Sequence, residues 1–200
     1  MPDPLKQESP LGHLLEAIPE PAADNGLWLS ECPPMGHVNL RGDPGDLDFV
    51  ELVRRGANIP LPEVPNASLS SAGVSALWLG PHEWLIVTSG GLESAVQSSL
   101  RETLTNRNHA VTDITSGNAV IRLSGARVRD VVAKGCSIDL HERFLGPASC
   151  VQTYIAKASV LLWRSDDSSR LNLIVRRSFA EYLALWLQDA GREYGLTLRR

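Results

Sequence analysis

Phe49–Leu61 (FVELVRRGANIPL) and Val128–Leu140 (VRDVVAKGCSIDL) align without a gap. Val53/Val132, Gly56/Gly135, Ile59/Ile138 and Leu61/Leu140 are identical pairs, and Glu51/Asp130 and Arg55/Lys134 are conservative ones. Each stretch has apolar residues at helical spacing, then a glycine where a helix C-terminus belongs. Both glycines are therefore expected to be left-handed helix stops, with Leu52/Val53 and Val131/Val132 packed on a sheet. The alternative is chance likeness between two amphipathic helices. A fixed-order repeat is the mark of duplication.

Working outward, the flanks match too. Leu40-Arg41-Gly42 precedes the first copy as Leu123-Ser124-Gly125 precedes the second. Trp84-Leu85-Ile86-Val87 aligns with Asn172-Leu173-Ile174-Val175, each run ahead of a second helix. The periodicity predicts strands over 26–31, 37–41, 110–115 and 119–123, and later over 151–156, 159–163 and 171–176. Helices are predicted over 46–55, from 92 to 104 after Gly90-Gly91, and over 126–134. Ser178 and Glu181 read as a capping box opening a last helix that turns Phe179, Tyr182, Leu183, Trp186 and Ala190 inward. Asp166-Asp167-Ser168-Ser169 reads as a turn. Each half is then roughly β-α-β-β-α-β. The fold class is α+β: duplicated β-α-β-β-α-β units, about 36–115 and 118–198, with antiparallel sheets covered by helices.

The units lie in one domain over 26–200. Residues 1–25 read as an irregular arm, broken by Pro2, Pro4, Pro10, Pro19 and Pro21, with room for two helical turns at 11–18. Such an arm is either disordered or laid on a partner.

The chain has 200 residues and a formal net charge of −4, so a general nucleic-acid binder is not expected. No apolar run spans a bilayer, and Met1–Pro10 has no apolar signal core. Cys32, Cys136 and Cys150 are odd in number and far apart, which suits a reducing cytoplasm better than a disulfide framework. Sixteen arginines against three lysines fit either a GC-rich genome or a contact surface, since Arg tolerates partial burial better than Lys.

There is no G-x-G-x-x-G, Walker loop, H-E-x-x-H or Gly-x-Ser-x-Gly. His13, His37, His82, His109 and His141 are scattered, and Asp139/His141 reads as a surface pair. Ser89-Gly90-Gly91 could present backbone N–H groups to an anion but reads better as a turn. Cys136 follows a helix C-terminus, where the dipole disfavours a thiolate. Catalytic and metal residues are thus none, and no cofactor-binding residue is assigned. Leu77–Val87 reads as a hairpin turning at Gly80-Pro81-His82-Glu83. Gly80 is expected to need a positive φ. Trp78, Pro81 and Trp84 form the candidate recognition surface, because two tryptophans flank one turn.

Several segments together resemble one family. Ala76–Ile86 (ALWLGPHEWLI) is similar to the Leu-Trp-x-Gly-Pro-x-Glu-Trp-Leu signature of the gamma subunit of heterotetrameric sarcosine oxidase. Leu123-Ser124-Gly125, Ala133–His141 (AKGCSIDLH), Ala156-Lys157-Ala158, Leu162-Trp163-Arg164 and Arg177–Trp186 (RSFAEYLALW) match as well. The likeness spans about 36–194. One departure is His82, where the family usually has Asp.

The resemblance implies a fold like the N-terminal part of the aminomethyltransferase, or glycine-cleavage T-protein, superfamily. It implies a non-catalytic, structural chain in a flavin-dependent complex that oxidises sarcosine to glycine. That complex reduces oxygen to hydrogen peroxide and yields formaldehyde or methylene-tetrahydrofolate. The implied partners are the alpha subunit, chiefly, and the beta and delta subunits. FAD, FMN, NAD, tetrahydrofolate and zinc are implied for those chains and none for this one. No nucleic acid or membrane is implied. The alternative from the same fold is an independent folate- or one-carbon-binding module.

Overall fold

The computed structural model describes residues 8–15, 26–165 and 170–199. The first unit runs from β2 (Met35–Gly42) through α1 (Leu47–Ala57), β3 (Ser68–Ser71), β4 (Val74–Gly80), β5 (Glu83–Ser89) and α2 (Glu93–Thr103) to β6 (His109–Asp113). The second runs from β7 (Asn118–Ser124) through α3 (Val128–Ala133), β8 (Ser149–Ile155), β9 (Ala158–Arg164), β10 (Arg170–Arg176) and α4 (Ala180–Ala190) to β11 (Thr197–Arg199). A short β1 (Trp28–Glu31) precedes both. Each unit is β-α-β-β-β-α-β, one strand more than expected. The extra strand in the first unit is β3, a polar SLSS run without alternation, which pairs along β4 at the edge of its sheet.

The sheet orders establish the duplication. The first sheet reads β3-β4-β5-β2-β6 and the second β8-β9-β10-β7-β1-β11. Removing β1 leaves the same order with each strand at its counterpart's place. β1 lies antiparallel to β7, and β11 runs parallel to β1, so β11 keeps the direction that β6 has beside β2.

Register corrects one alignment. Leu40 faces Trp84 across β2 and β5, while Leu123 faces Leu171 across β7 and β10. The counterpart of Trp84 is therefore Leu171, one residue earlier than the sequence match placed it. Strand side chains alternate faces, so a one-residue slip would put every apolar side chain on the wrong side.

Three apolar layers follow from that alternation. Trp84 and Ile86 of β5 join Phe49 and Val53 of α1 and Leu100 of α2. Leu173 and Val175 of β10 join Val131 and Val132 of α3 and Leu183 and Leu187 of α4. The opposite strand faces, with Leu77, Leu85, Val87, Leu161, Trp163 and Ile174, meet in a layer between the two sheets. Burying Phe49 alone contributes about 1.5–3 kcal/mol. At one edge the sheets are tied directly: Ser68 N donates to Ala148 O at 2.8 Å and Cys150 N to Asn66 O at 2.8 Å.

The paired glycines differ from expectation in an instructive way. Neither Gly56 nor Gly135 has a positive φ. Gly56 lies inside α1, and the chain reverses at Asn58, whose φ is 54°. Both glycines instead admit a second helix at close range. A Cβ on Gly56 would stand 2.6 Å from Thr103 Oγ1 of α2, and one on Gly135 would stand 2.5 Å from the Trp186 ring of α4. Gly135 does follow the end of α3, while Gly56 does not end α1; what the two positions share is the close approach of a second helix. Ile59, Leu61 and Leu140 are buried, and Ile138 packs half-buried against the second core, as the repeat implies.

Other local expectations change. Asp46 caps α1, its Oδ1 accepting from Asp48 N and Phe49 N. The Ser178–Glu181 box does not form: Arg177–Phe179 make a 3₁₀ turn, α4 starts at Ala180 without a side-chain cap, and Glu181 Oε1 meets His13 Nε2 at 3.3 Å. That start rotates Phe179 and Tyr182 outward and buries Ala180, Leu183, Ala184 and Leu187. Leu92, assigned to the apolar face of α2, is exposed at its N-cap.

The arm's described residues, 8–15, rest on the chain's own second core. Leu11 is wholly buried there with Leu15, and Leu14 N and Leu15 N both donate to Leu11 O in a single turn. The rest of the helix expected at 11–18 and the turn at Asp166–Ser169 lie outside the described residues.

Candidate functional site

The recognition hairpin separates into a buried and an exposed part. β4 and β5 pair Trp78 with Trp84 and Gly80 with Glu83, with a bulge between Trp78 and Gly80. Pro81 and His82 make the connection, and neither Gly80 nor His82 has a positive φ. Trp84 is only 2% exposed. Its indole N–H donates to Pro62 O at 3.0 Å and its ring lies 6.3 Å from that of Phe49. A large amphipathic ring with its polar atom satisfied inside the helix-side core has nothing left to offer a partner. Trp84 is thus a core residue, and the candidate surface reduces to Pro81 and the half-buried Trp78. His82 donates to or accepts from its surroundings only at the surface, near Gly42 O and Asp43.

The remaining sequence candidates are occupied by structural tasks. Gly91 N donates to Glu93 Oε2 at 2.8 Å, so the Ser89-Gly90-Gly91 turn spends that N–H within the chain. Asp139 Oδ1 accepts from His141 N, and His141 Nδ1 accepts from Arg143 N, a local turn with both side chains at the surface. Cys150 is buried with its thiol against Ala67 O and Trp78 O, and desolvation pushes its pKa up to about 12. Burial likewise raises Cys32. A thiol held protonated is a poor nucleophile. Cys136 packs half-buried against the second core, 3.8 Å from Thr153 Oγ1. Among the described residues no three His, Cys, Asp or Glu side chains converge on a metal position.

A concave region lies elsewhere, at one end of the layer between the sheets. Two adjoining cavities of about 690 and 550 Å³ share residues 32–35, Thr115 and Arg122. This is the size class of small-molecule sites. His37 of β2 lines the second cavity. Its backbone is fixed on both sides, His37 N donating to Thr115 Oγ1 and Ile114 N to His37 O, each at 2.9 Å. His37 is 1% exposed, and neither ring nitrogen has a hydrogen-bond partner among the described residues. Desolvation pushes its pKa down to about 4, against the opposing pull of Asp113 and Glu93, so the imidazole is neutral near pH 7. Arg122 Nε donates to the buried Asn172 Oδ1 at 3.0 Å, and Arg177 and Arg199 stand on the same cavity wall.

The hydrophobic pattern gave no reason to single out His37. It occupies an inward strand position that the second unit fills with Val120, an identity visible only from register. The arginine excess was the one signal touching Arg122 and Arg199, and it carried no positions.

The model of the "Sarcosine oxidase, gamma subunit family" matches residues 41–193. The chain is 33% identical to a sarcosine oxidase subunit gamma from Corynebacterium sp. (strain P-1), over 94% of this chain and 91% of that one. It is 31% identical, with the same coverage, to one from an Arthrobacter species.

The chain belongs to the sarcosine oxidase gamma subunit family.

A chain of the heterotetrameric sarcosine oxidase from Corynebacterium sp. U-96 superposes with a TM-score of 0.83 at 27% identity, covering 97% of this chain and 99% of that one. The glycine cleavage aminomethyltransferase T from Bartonella henselae superposes at 0.63 with 14% identity, over 88% of this chain and 48% of that one. The latter shows the shared fold alone, as the resemblance implied. The gamma subunit reading is thereby favoured over the independent folate module. No described helix is long and apolar enough to cross a membrane.

Proposed function

We propose that this chain is the structural gamma subunit of a cytoplasmic, heterotetrameric, flavin-dependent sarcosine oxidase, assembling chiefly against the alpha subunit and without an active site of its own. The observation that carries this is the near full-length match, in sequence and in shape, to gamma subunits and to a chain of the heterotetramer. Its buried thiols and its turn-capping Asp and His side chains support a framework role. FAD, FMN, NAD, tetrahydrofolate and zinc are assigned to the alpha, beta and delta chains, as is the oxidation of sarcosine.

An assembling chain needs exposed apolar surface to bury. The start of α4 and the turn before it carry such a face: Phe179, Tyr182 and Leu185 are exposed at successive i, i+3 positions, Phe179 and Tyr182 in edge-to-face contact at 6.3 Å. Phe144 and Tyr154 are exposed elsewhere in the second unit.

The test is co-expression with and without the other three chains. Copurification in a four-chain complex, with the flavin spectrum absent from this chain alone, is the expected result. Stoichiometric flavin on the isolated chain, or its failure to join the complex, overturns the reading.

A further inference from the structure

Two opposite charges face one cavity, that of about 690 Å³, and do not pair with each other. Arg122 of β7 spends its Nε on Asn172 Oδ1 and makes no ion pair among the described residues. Glu93, the first residue of α2, accepts from Gly91 N at its Oε2 and makes no ion pair either. The Nη atoms of Arg122 and Oε1 of Glu93 are not among the buried atoms left without a partner, so both groups reach the open cavity. The Glu93 side chain is set in place by Gly36. A Cβ on Gly36 would stand 2.7 Å from Glu93 Cβ and 2.8 Å from its Oε2, so a glycine is what lets this carboxylate lie across β2. Between the two charges, the linker Cys32-Pro33-Pro34-Met35 gives the cavity an apolar stretch.

Net charge selects neither an anion nor a cation here. Over the two adjoining cavities Arg122, Arg177 and Arg199 stand against Glu8, Glu31 and Glu93, and Asp113 adds a further acid beside His37. Arg177 and Arg199 line only the second cavity, where Arg177 donates to Glu8 O and Arg199 stacks over Trp28. Opposite charges across a cavity attract, and a separation beyond ion-pair reach leaves room for a group between them. A ligand carrying both charges answers both walls. A guanidinium fork matches a carboxylate, and a carboxylate accepts from an ammonium. The cavity is in the size range of larger ligands, so an apolar side chain fits as well as the two charges. We propose that this cavity binds a free α-amino acid with an apolar side chain, its carboxylate at Arg122, its ammonium at Glu93 and its side chain along Pro34 and Met35. The proposal concerns groups of this chain alone and stands apart from the assembly role.

The chain has only two methionines, and Met35 lines the cavity. The test therefore uses the full 200-residue chain with ¹³C-labelled methionine methyls, the Met35 signal being assigned by its loss in Met35→Leu. Free L-leucine is the probe. Leucinamide lacks its carboxylate, 4-methylpentanoate lacks its ammonium, and glycine lacks its side chain. L-leucine should shift the Met35 signal saturably, and each of the other three should bind about tenfold more weakly. Arg122→Gln keeps a donor for Asn172, and Glu93→Gln keeps an acceptor for Gly91 N. Arg122→Gln should weaken L-leucine about tenfold and leave leucinamide unchanged, while Glu93→Gln should weaken L-leucine about tenfold and leave 4-methylpentanoate unchanged. Thermal unfolding checks that both variants fold; if one does not, the analogue that lacks the matching charge decides that contact. No saturable shift at millimolar L-leucine overturns the proposal. So does an analogue that equals L-leucine, or an affinity unchanged in either folded variant. Copurification with the other chains reports on assembly separately, so failure of one reading leaves the other standing.

Discussion

The two units of this chain share a plan and close it differently. In the first, β6 pairs directly with β2 and the helix-side core is sealed by α1 and α2. In the second, β1 is inserted between β7 and β11, and Leu11 and Leu15 from the N-terminal segment fill the core under α3 and α4. α3 spans only Val128–Ala133, about half the length of α1, so it covers less of its sheet. The difference teaches that duplication preserves register and helix approach, while cover can be borrowed from elsewhere in the chain. The second unit depends on residues that precede the first.

That dependence gives the largest expected effect. Leu11→Ala should destabilise the chain by about 2–5 kcal/mol, the cost of emptying a fully buried leucine site, although the residue lies in a proline-broken segment. Leu47→Ala, on the exposed start of α1, should change stability by less than about 0.5 kcal/mol. Denaturant unfolding of both variants measures the contrast. Equal effects would mean the N-terminal segment does not seal the second core.

The shared helix approach is next. Gly56→Ala and Gly135→Ala should each cost about 1–3 kcal/mol by overpacking, because each new Cβ meets the facing helix at 2.6 Å or less. Gly56 lies inside α1, where a Gly→Ala change would otherwise stabilise, so at that position even the sign is diagnostic. If Trp186 swings aside and Gly135→Ala is neutral while Gly56→Ala is not, the two contacts are not equivalent.

A smaller effect separates the sheets by pH. His37 stands where the second unit has Val120. Its folded pKa of about 4 lies below the ordinary 6.5, so the unfolded chain binds the extra proton between those values. Stability from this group is therefore intact above about pH 6.5 and falls as the pH drops toward 4. Between pH 7 and 5 the loss should be on the order of 1–2 kcal/mol. His37→Val should remove that slope, as read from unfolding midpoints across the range. An unchanged slope would place the titrating group elsewhere.

The smallest effect concerns the hairpin. Gly80→Ala should shift stability by less than about 0.5 kcal/mol, since Gly80 lacks a positive φ and its Cβ would have Glu83 Cβ at 3.9 Å as its nearest neighbour. Thermal unfolding tests this directly. A large loss would restore the strained turn that the sequence suggested.

How much of this was legible beforehand follows from particular residues. The thirteen-residue match, the Leu-x-Gly flanks and the alternating apolar runs were sufficient to read an α+β duplication, because periodicity and order are properties of the chain itself. The capping box does not form because a 3₁₀ turn takes Arg177–Phe179 and α4 begins one residue later than the Ser-x-x-Glu spacing suggests, with Phe179 and Tyr182 turned to solvent. The burial of Trp84 is not legible in the sequence, because a tryptophan beside a turn looks the same whether its ring points to the helices or to water. The match of Trp84–Val87 to Asn172–Val175 is one residue out, since the four apolar residues Trp84–Val87 carry no phase of their own.

By itself, the sequence determined most of the strands and helices, that two copies exist, and which family the chain resembles. These rest on local spacing and on residue identity, which need no knowledge of distant neighbours. Only the tertiary structure decided why Gly56 and Gly135 are glycines, where β1 and Leu11 go, and that His37 and Arg122 face one cavity. Those facts depend on contacts between residues far apart in sequence, set by sheet register and helix approach, and no pattern within a single segment encodes them.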